Sequence, residues 1–199
     1  MLSTSKLFPW NDPQLERPDL IPKGTRTINM IQLADALHGE MAGPPLQALV
    51  VYAANPAVSN PQSEKVRRGF MREDFFLVVH EQMMTDTADY ADFILPATSQ
   101  IEHFDVHNGY GHFYVQANNP AIPPQGESVP NTEFFRRLAR EMKFEPELFE
   151  ISDEDLGRLA ITPTSGANGY PAASAFEGIT LEQIKAGPVR LKLPADYAP

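Results

Sequence analysis

The sequence predicts an α/β fold in which helices cover a mostly parallel β-sheet, giving three layers. Short apolar runs rich in Val, Ile, Leu and Phe occur at residues 48–52, 75–79 and 93–95, and each ends abruptly in small or polar residues or in proline. Segments with helical spacing separate these runs. Apolar runs of this length that alternate with helices are typical of parallel strands buried on both faces.

Two helices are predicted around the first strand. Residues 27–39 place apolar side chains at helical spacing, with Thr27 as the predicted N-cap and Gly39 as the stop. These apolar side chains are Met30, Leu33, Ala34 and Leu37. The next helix is expected from Asn60, which precedes a proline, to Gly69, with cations in its last turn.

Shorter elements are predicted on either side of the third strand. Residues 85–91 begin with two threonines and an aspartate, which favour the start of a short helix. Pro96 ends the third strand and cannot lie in the middle of a central strand. Residues 98–116 mix aromatic residues, histidines and glycines, and predict strand pieces around a glycine turn.

Further helices are predicted in the C-terminal half. One begins at Asn131 and another, rich in acidic residues, begins at Ser152. The expected apolar side of the first consists of Phe135, Leu138, Ala139 and Met142. Residues 181–185 predict a further helix, and residues 189–193 predict a strand.

These patterns divide the chain into three segments. Residues 1–26 form a predicted extended arm, residues 27–160 the α/β domain, and residues 161–199 a loop-rich C-terminal arm. The 19 prolines concentrate in the two arms and near residues 120–130, as expected of long ordered loops.

Composition excludes several function classes. A net charge of −10 argues against binding nucleic acid, which requires a basic surface. The absence of cysteine excludes disulfides, thiolate metal sites, cysteine-held iron–sulfur clusters and cysteine nucleophiles within these residues. No apolar stretch approaches the ~20 residues that span a bilayer. The first ten residues lack a signal peptide's apolar region, so we expect a cytoplasmic location.

Polar residues follow the first two strands, and they are the first candidates for a binding site. Asn55 follows the first strand, and His80 and Glu81 follow the second. Ligands of open parallel sheets bind outside the carboxyl ends of the strands. An amide can bind a phosphate, ribose or base edge, and a carboxylate can accept from ribose hydroxyls or guanine N–H groups. The structural alternatives are a turn at Asn55, a backbone-bonded His80 and a solvated Glu81.

A cluster of titratable residues within 102–112 raises the possibility of a metal site. Glu102, His103, His107 and His112 are its members. The interval from His103 to His107 would place two imidazoles on one helical face, but Gly109 and Gly111 disfavour a helix there. We therefore predict no metal ligands and keep a small metal hydrolase as a competing hypothesis.

Several motifs follow one another in a recognisable order. Asn55 and a proline close an apolar strand, and residues 85–98 read TDTADYADFILPAT. Glu-His at 102–103, Gly-Tyr-Gly at 109–111, Asn-Pro-Ala-Ile at 119–122 and Gly-Glu at 126–127 follow. This order resembles that of the molybdopterin oxidoreductase family, which includes dimethyl sulfoxide reductases, formate dehydrogenases and nitrate reductases, and the resemblance covers residues 27–160.

The resemblance implies a Rossmann-like domain that binds one guanine dinucleotide arm of a bis(molybdopterin guanine dinucleotide) cofactor carrying molybdenum or tungsten. The cofactor contacts carried over from the family are Asn55, His80, Glu81, His103 and Asn131. His80, His103 and Asn131 differ from the residues that the family commonly has at these positions. No catalytic residue or metal ligand is predicted within this chain.

The resemblance also implies that this segment is the third domain of a larger enzyme. An iron–sulfur segment, a metal-ligand residue and a C-terminal barrel would lie outside it. We therefore expect an inactive fragment of an enzyme that performs two-electron redox chemistry on a small substrate. Its expected partners are the remaining domains or partner subunits, with a possible oligomer through the exposed sheet or arms. The alternative is a non-catalytic structural or assembly subunit that kept the fold and lost the cofactor.

Overall fold

The three apolar runs form the strands of a parallel sheet in a computed structural model that describes Trp10 and residues 12–109, 111–162 and 175–192. The strands are β1 (Ala48–Tyr52), β2 (Phe76–Glu81), β3 (Phe93–Pro96), β4 (Asp105–Asn108), β5 (Tyr114–Asn118) and β6 (Val189–Arg190). The α-helices are α1 (Asp12–Glu16), α2 (Leu33–Leu37), α3 (Pro56–Ser59), α4 (Ser63–Phe70), α5 (Asn131–Glu141), α6 (Asp153–Ala160) and α7 (Leu181–Ala186).

The chain divides into two units, which we describe separately. The parallel unit consists of Lys23–Ser99 and Pro124–Phe135. The antiparallel unit consists of Met1–Pro22, Gln100–Pro123 and Arg136–Pro199. The division predicted from sequence at residues 26 and 160 stays a prediction.

The parallel unit is built on a sheet with the strand order β1-β2-β3. Both pairings are parallel, and the register aligns Val51 with Val79 and Val79 with Ile94. β3 lies at an edge of this sheet, as Pro96 required. The predicted α/β fold with a parallel sheet is therefore confirmed.

Helices α2 and α4 cover one face of this sheet. The buried side chains between them and the strands form one apolar cluster: Ala34, Leu37, Val51, Ala57, Val66, Phe70, Phe75, Leu77, Val79 and Ala88. Lys65 in α4 donates to the carboxylates of Asp35 and Glu40 at 2.6 Å each and so ties the two helices together.

The first helix begins later than its apolar pattern predicted. Residues Met30–Gln32 form a 3₁₀ turn, and the Asn29 side chain accepts a hydrogen bond from the Ile31 N–H. The predicted cap at Thr27 is therefore wrong, because Asn29 satisfies the first free N–H group, and Met30 is exposed. Gly39 follows the helix with a φ of +68°, which confirms the predicted stop.

The limits of α4 also differ from the prediction. Asn60 ends α3 and donates its side-chain amide to the Met30 carbonyl at 2.8 Å, so it does not cap α4. Gly69 lies inside α4 instead of ending it. An added Cβ at Gly69 would lie 2.6 Å from Leu37 Cβ, which explains why the helix carries a glycine there.

The antiparallel unit contains the sheet with the order β4-β5-β6, and both of its pairings are antiparallel. Its core consists of Val115, Ile161, Phe176, Leu181, Ile184 and Leu191. Ser152 caps α6 through the Asp155 N–H, and Thr180 and Gln183 form a capping box at α7. The helices predicted at Ser152 and at 181–185 are confirmed. The predicted strand at 189–193 is shorter, and Leu193 lies outside the described residues.

Helix α5 begins at Asn131, as predicted, but its buried side is in a different phase. Phe134 and Ala139 are buried, whereas Phe135 and Leu138 stay partly exposed and Met142 follows the helix. Phe134 is buried because its ring stacks on the His80 imidazole, a contact that sequence spacing does not encode. No helix in the described ranges is both long and apolar enough to cross a membrane.

We expect Gly69→Ala to destabilise the protein, although alanine normally favours a helix over glycine by about 1 kcal/mol. The new methyl group would overlap Leu37 Cβ, and overpacking of this kind costs about 1–3 kcal/mol. Urea unfolding followed by circular dichroism measures the change. Arg68→Ala, on the exposed side of the same helix, is the control and should leave the midpoint nearly unchanged. A Gly69→Ala variant as stable as the parent would contradict this packing.

Candidate functional site

The chain turns sharply where it leaves β1. Ala53 adopts a φ of +48°, a left-handed conformation that costs a residue with a Cβ about 1–2 kcal/mol. This turn delivers Asn55 to the carboxyl edge of the parallel sheet, directly before α3. The loop that follows β2 starts at the same edge, because neighbouring parallel strands end on the same side.

Asn55 joins these two loops. Its Oδ1 accepts from the Thr87 N–H at 3.1 Å and from the Thr87 hydroxyl at 2.8 Å, and its Nδ2 donates to Asp86 at 3.2 Å. Thr87 Oγ1 in turn accepts from the Ala57 N–H at 3.0 Å. We call these four residues the Asn55 bracket. An amide nitrogen carries two hydrogens, so the bracket leaves one Nδ2–H of Asn55 for a ligand.

Asp86 and Thr87 are not among the site residues predicted from sequence, which places them at the start of a short helix and within the motif at residues 85–98. Thr87 is fully buried and Asp86 is exposed. The signal that could have identified them is topological: the loop after β2 must share an edge with Asn55, so its polar side chains are candidates to pair with that amide. The predicted short helix is a 3₁₀ turn at Ala88–Tyr90.

His80 is enclosed by the parallel unit. Its ring is fully buried, Nδ1 donates to the Leu95 carbonyl at 3.2 Å, and the ring stacks on Phe134 with centroids 4.7 Å apart. Nε2 is buried and has no hydrogen-bond partner among the described residues. Burial lowers the pKa of His80 below its ordinary value, while the Leu95 carbonyl acts in the opposite direction. His80 is therefore a buried, neutral imidazole at the end of β2.

Glu81 is the last residue of β2 and is partly exposed. One of its carboxylate oxygens accepts from the Gln82 N–H at 2.8 Å. The exposed carboxylate of Asp86 lies in the loop that follows. The carboxyl edge therefore offers acidic acceptors, and these suit the N–H and O–H donors of a ligand.

The remaining predicted residues lie in different parts of the chain. Asn131 is the first residue of α5 in the parallel unit, and its neighbour Thr132 has a buried hydroxyl oxygen without a partner among the described residues. His103 belongs to the antiparallel unit, where its carbonyl accepts from the Asn118 side chain at 2.7 Å. Asn55, His80, Glu81 and Asn131 thus share one unit, and His103 lies in the other.

The histidines of the 102–112 cluster already take part in hydrogen bonds. His107 Nε2 accepts from the Gln116 amide at 2.7 Å, and His112 Nδ1 accepts from the Tyr114 N–H at 3.2 Å. Each of these hydrogen bonds uses a nitrogen lone pair that would otherwise be able to bind a metal ion. No group of three His, Asp or Glu side chains that could hold a metal occurs among the residues that the structure describes.

Comparison with solved structures identifies the class of fold. The chain resembles acetylene hydratase from Pelobacter acetylenicus with a TM-score of 0.64 and 24% sequence identity, over 87% of this chain and 22% of that one. The family profile described as molybdopterin oxidoreductase matches residues 27–141, which is more than half of the chain. The chain therefore belongs to the molybdopterin oxidoreductase family, and the resemblance seen in its motifs is confirmed.

Curated relatives agree with this assignment. The probable oxidoreductase YoaE of Bacillus subtilis is 45% identical over 79% of this chain and 23% of its own length. The probable oxidoreductase YyaE of the same organism is 28% identical over 86% of this chain and 24% of its own length. Trimethylamine-N-oxide reductase 1 of Escherichia coli K12 is 28% identical over 56% of this chain and 13% of its own length. The chain thus spans a quarter or less of the length of these relatives.

We expect Thr87→Val to lower the free energy of unfolding by about 1–3 kcal/mol, because the buried Ala57 N–H loses its acceptor and Asn55 loses a donor. Valine keeps the shape of threonine, so the change isolates the hydroxyl. Urea unfolding measures the loss. Thr85→Val is the matched control, because the bond that its hydroxyl accepts from the Ala88 N–H is long, at 3.4 Å. Equal losses in the two variants would contradict the bracket.

Stability should fall as the pH drops through the ordinary His80 pKa of 6.5. The folded pKa is the lower one, so the unfolded chain binds the proton more readily and protonation favours unfolding. The loss is about 1.4 kcal/mol for each pH unit that separates the two pKa values.

Urea midpoints measured between about pH 7.5 and 5.5 test this dependence. His80→Phe should flatten it and keep the ring stack on Phe134, whereas the exposed His112→Gln control should retain it. An unchanged slope in His80→Phe would refute a buried neutral imidazole.

Proposed function

We propose that this chain acts as the nucleotide-holding part of a larger molybdopterin-dependent oxidoreductase, in which it binds a guanine dinucleotide arm of the molybdenum or tungsten cofactor. The observation that carries the proposal is the acidic, amide-bearing edge of a parallel sheet within the residues that match the family. The small share of each relative that the chain spans supports its role as one part of a longer assembly.

The residues present fit a nucleoside better than a pyrophosphate. Guanine offers its N1–H and amino group as donors, and ribose offers hydroxyls, so the carboxylates of Glu81 and Asp86 are suitable acceptors. The free Nδ2–H of Asn55 can donate to a base or ribose oxygen. Asp89 adds a further acid in the following turn, and this negative charge would repel a phosphate. We therefore infer that this edge holds the guanosine end of the dinucleotide.

The architecture supports the same inference. β1 and β2 are parallel neighbours that end in Tyr52 and Glu81, and the helix after β1 starts at this edge. This is the arrangement of Rossmann-like nucleotide-binding domains, in which ligands bind beyond the carboxyl ends of the strands. The stack of Phe134 on His80 supports the carboxyl end of β2.

The chain's own role is to bind and orient. When bound, the cofactor supplies the two-electron redox chemistry at its metal, and the substrate contacts belong to the remainder of the oxidoreductase. The Asn55 bracket holds two loops in a fixed relation, which lowers the entropic cost of ordering them around a nucleotide. The remaining domains or partner subunits are the proposed partners of this chain.

We expect guanosine diphosphate to bind the purified chain with measurable heat and adenosine diphosphate to bind more weakly, because adenine lacks the N1–H donor. Glu81→Gln should weaken guanosine diphosphate binding by on the order of 1–3 kcal/mol, because a charged acceptor is lost. Isothermal titration calorimetry measures both effects. Glu73→Gln, an exposed glutamate that precedes β2 at the opposite edge, is the matched control and should bind like the parent.

The competing function is a structural or assembly subunit without cofactor. Absence of heat and of thermal stabilisation with guanosine diphosphate would favour that function and reject the nucleotide site. Equal losses in Glu81→Gln and Glu73→Gln would instead place the nucleotide elsewhere.

A further inference from the structure

The two faces of the parallel sheet are packed differently. Leu49, Val51, Leu77 and Val79 point into the core with α2 and α4. Alternation along the strands and the strand register place the other side chains on the opposite face, which we call the open face. Its members are Ala48, Val50, Tyr52, Phe76, Val78, His80, Phe93 and Leu95. None of them is a carboxylate, lysine or arginine.

Described residues of the parallel unit cover the open face only in part. At the carboxyl end, Phe134 stacks on the buried His80, and the Phe135 ring meets Tyr52 edge-on with centroids 5.0 Å apart but leaves Tyr52 47% exposed. At the amino end, Val50, Phe76 and Phe93 retain 36%, 45% and 59% of their exposure. The Phe76 and Phe93 rings lie 5.9 Å apart and form one continuous apolar surface.

A surface of this kind requires an apolar cover. Parallel sheets occur almost only with both faces covered, usually by helices, and contiguous exposed apolar patches mark interaction sites. Burying a charged or strongly polar surface here would leave its groups unpaired, because the open face offers no charge to pair with them. The occupant is therefore an apolar surface, and a helix is the element that packs on a parallel sheet.

We propose that the amino half of the open face docks an apolar helical surface belonging to the remainder of the oxidoreductase. The inference rests on the proposed function, in which this chain is one part of a larger molybdopterin oxidoreductase. In YoaE the matching segment is 23% of the chain, so most of that protein lies outside this unit and can supply the cover. A second copy is a poorer occupant, because each copy carries a net charge of −10 and the copies repel.

Cysteine labelling tests the proposal, since the chain contains no cysteine of its own. Phe93→Cys and Val50→Cys are made separately in this chain, with Arg68→Cys, at an exposed position of α4, as the control. The same three aligned positions are changed in full-length YoaE. Maleimide labelling is read peptide by peptide by mass spectrometry, so other cysteines of YoaE do not interfere, and circular dichroism checks that each variant is folded.

In the isolated chain, positions 93 and 50 should label as fast as the Arg68→Cys control. In YoaE the positions aligned with 93 and 50 should label more slowly than the control by on the order of 100-fold, as expected of a site reached only by local opening. Equal rates within YoaE would overturn the proposal. Slow labelling in the isolated chain would also overturn it, and analytical ultracentrifugation would then distinguish a dimer from cover by this chain's own residues.

The result of the cysteine labelling can be distinguished from the result of the guanosine diphosphate titration. If the cysteines in YoaE are protected but this chain does not bind guanosine diphosphate, the docking face is supported and the nucleotide site is rejected. If the chain binds guanosine diphosphate but the cysteines are not protected, the nucleotide site is supported and the docking face is rejected.

Discussion

The hydroxyl of Thr87 holds the carboxyl edge of the parallel sheet together. It donates to Asn55 and accepts from the Ala57 N–H, and it thereby joins the loop after β1 to the loop after β2. Sheet hydrogen bonds align the strands but do not fix the loops beyond them. The left-handed turn at Ala53 costs conformational free energy, and the hydrogen bonds of the Asn55 bracket, which are partly buried, offset this cost. The candidate site depends on this small network.

The strands could be predicted from sequence because their signal is local. An apolar run that ends in proline or in a polar pair specifies a strand and its end, and β1, β2 and β3 lie where these runs predict. The runs also predicted burial on both faces, and this part is wrong for β1 and β3, whose side chains are mostly exposed or half-buried. Asn55 and Glu81 could be assigned to one edge for the same reason. The network that joins Asn55 to Thr87 could not be predicted in detail, because the two residues are far apart in sequence and meet only when the strands pair.

The wrongly predicted ends of α4 have a common physical cause. Asn60 and Gly69 carry the usual signals of a helix start and stop, but tertiary contacts use them differently. The Asn60 amide is used by the Met30 carbonyl, and Gly69 permits the close approach of Leu37. The stack of His80 on Phe134 likewise changed which side of α5 is buried. Asn60 and Gly69 could each either mark a helix end or make a tertiary contact. Tertiary packing decides which role a residue takes, and this packing cannot be read from a single sequence.

The parallel unit combines a closed face, an acidic edge and an apolar open face. The family assignment explains why one unit carries all three, since the relatives are about four or more times longer than the matched segment. In the proposed assembly the edge holds the guanosine end of the cofactor, and the open face packs against the remainder of the protein. The chain's acidic character agrees with an edge that accepts hydrogen bonds instead of binding phosphate.

The most direct measurement of the central claim is a two-dimensional amide NMR spectrum of the 22.1 kDa chain during titration with guanosine diphosphate. We expect shifts of the Asn55 side-chain amide and of the backbone amides of Glu81 and Asp86, at the carboxyl edge. Shifts confined to the amino ends of the strands, near Ala48 and Phe76, or no shifts at all, would contradict it.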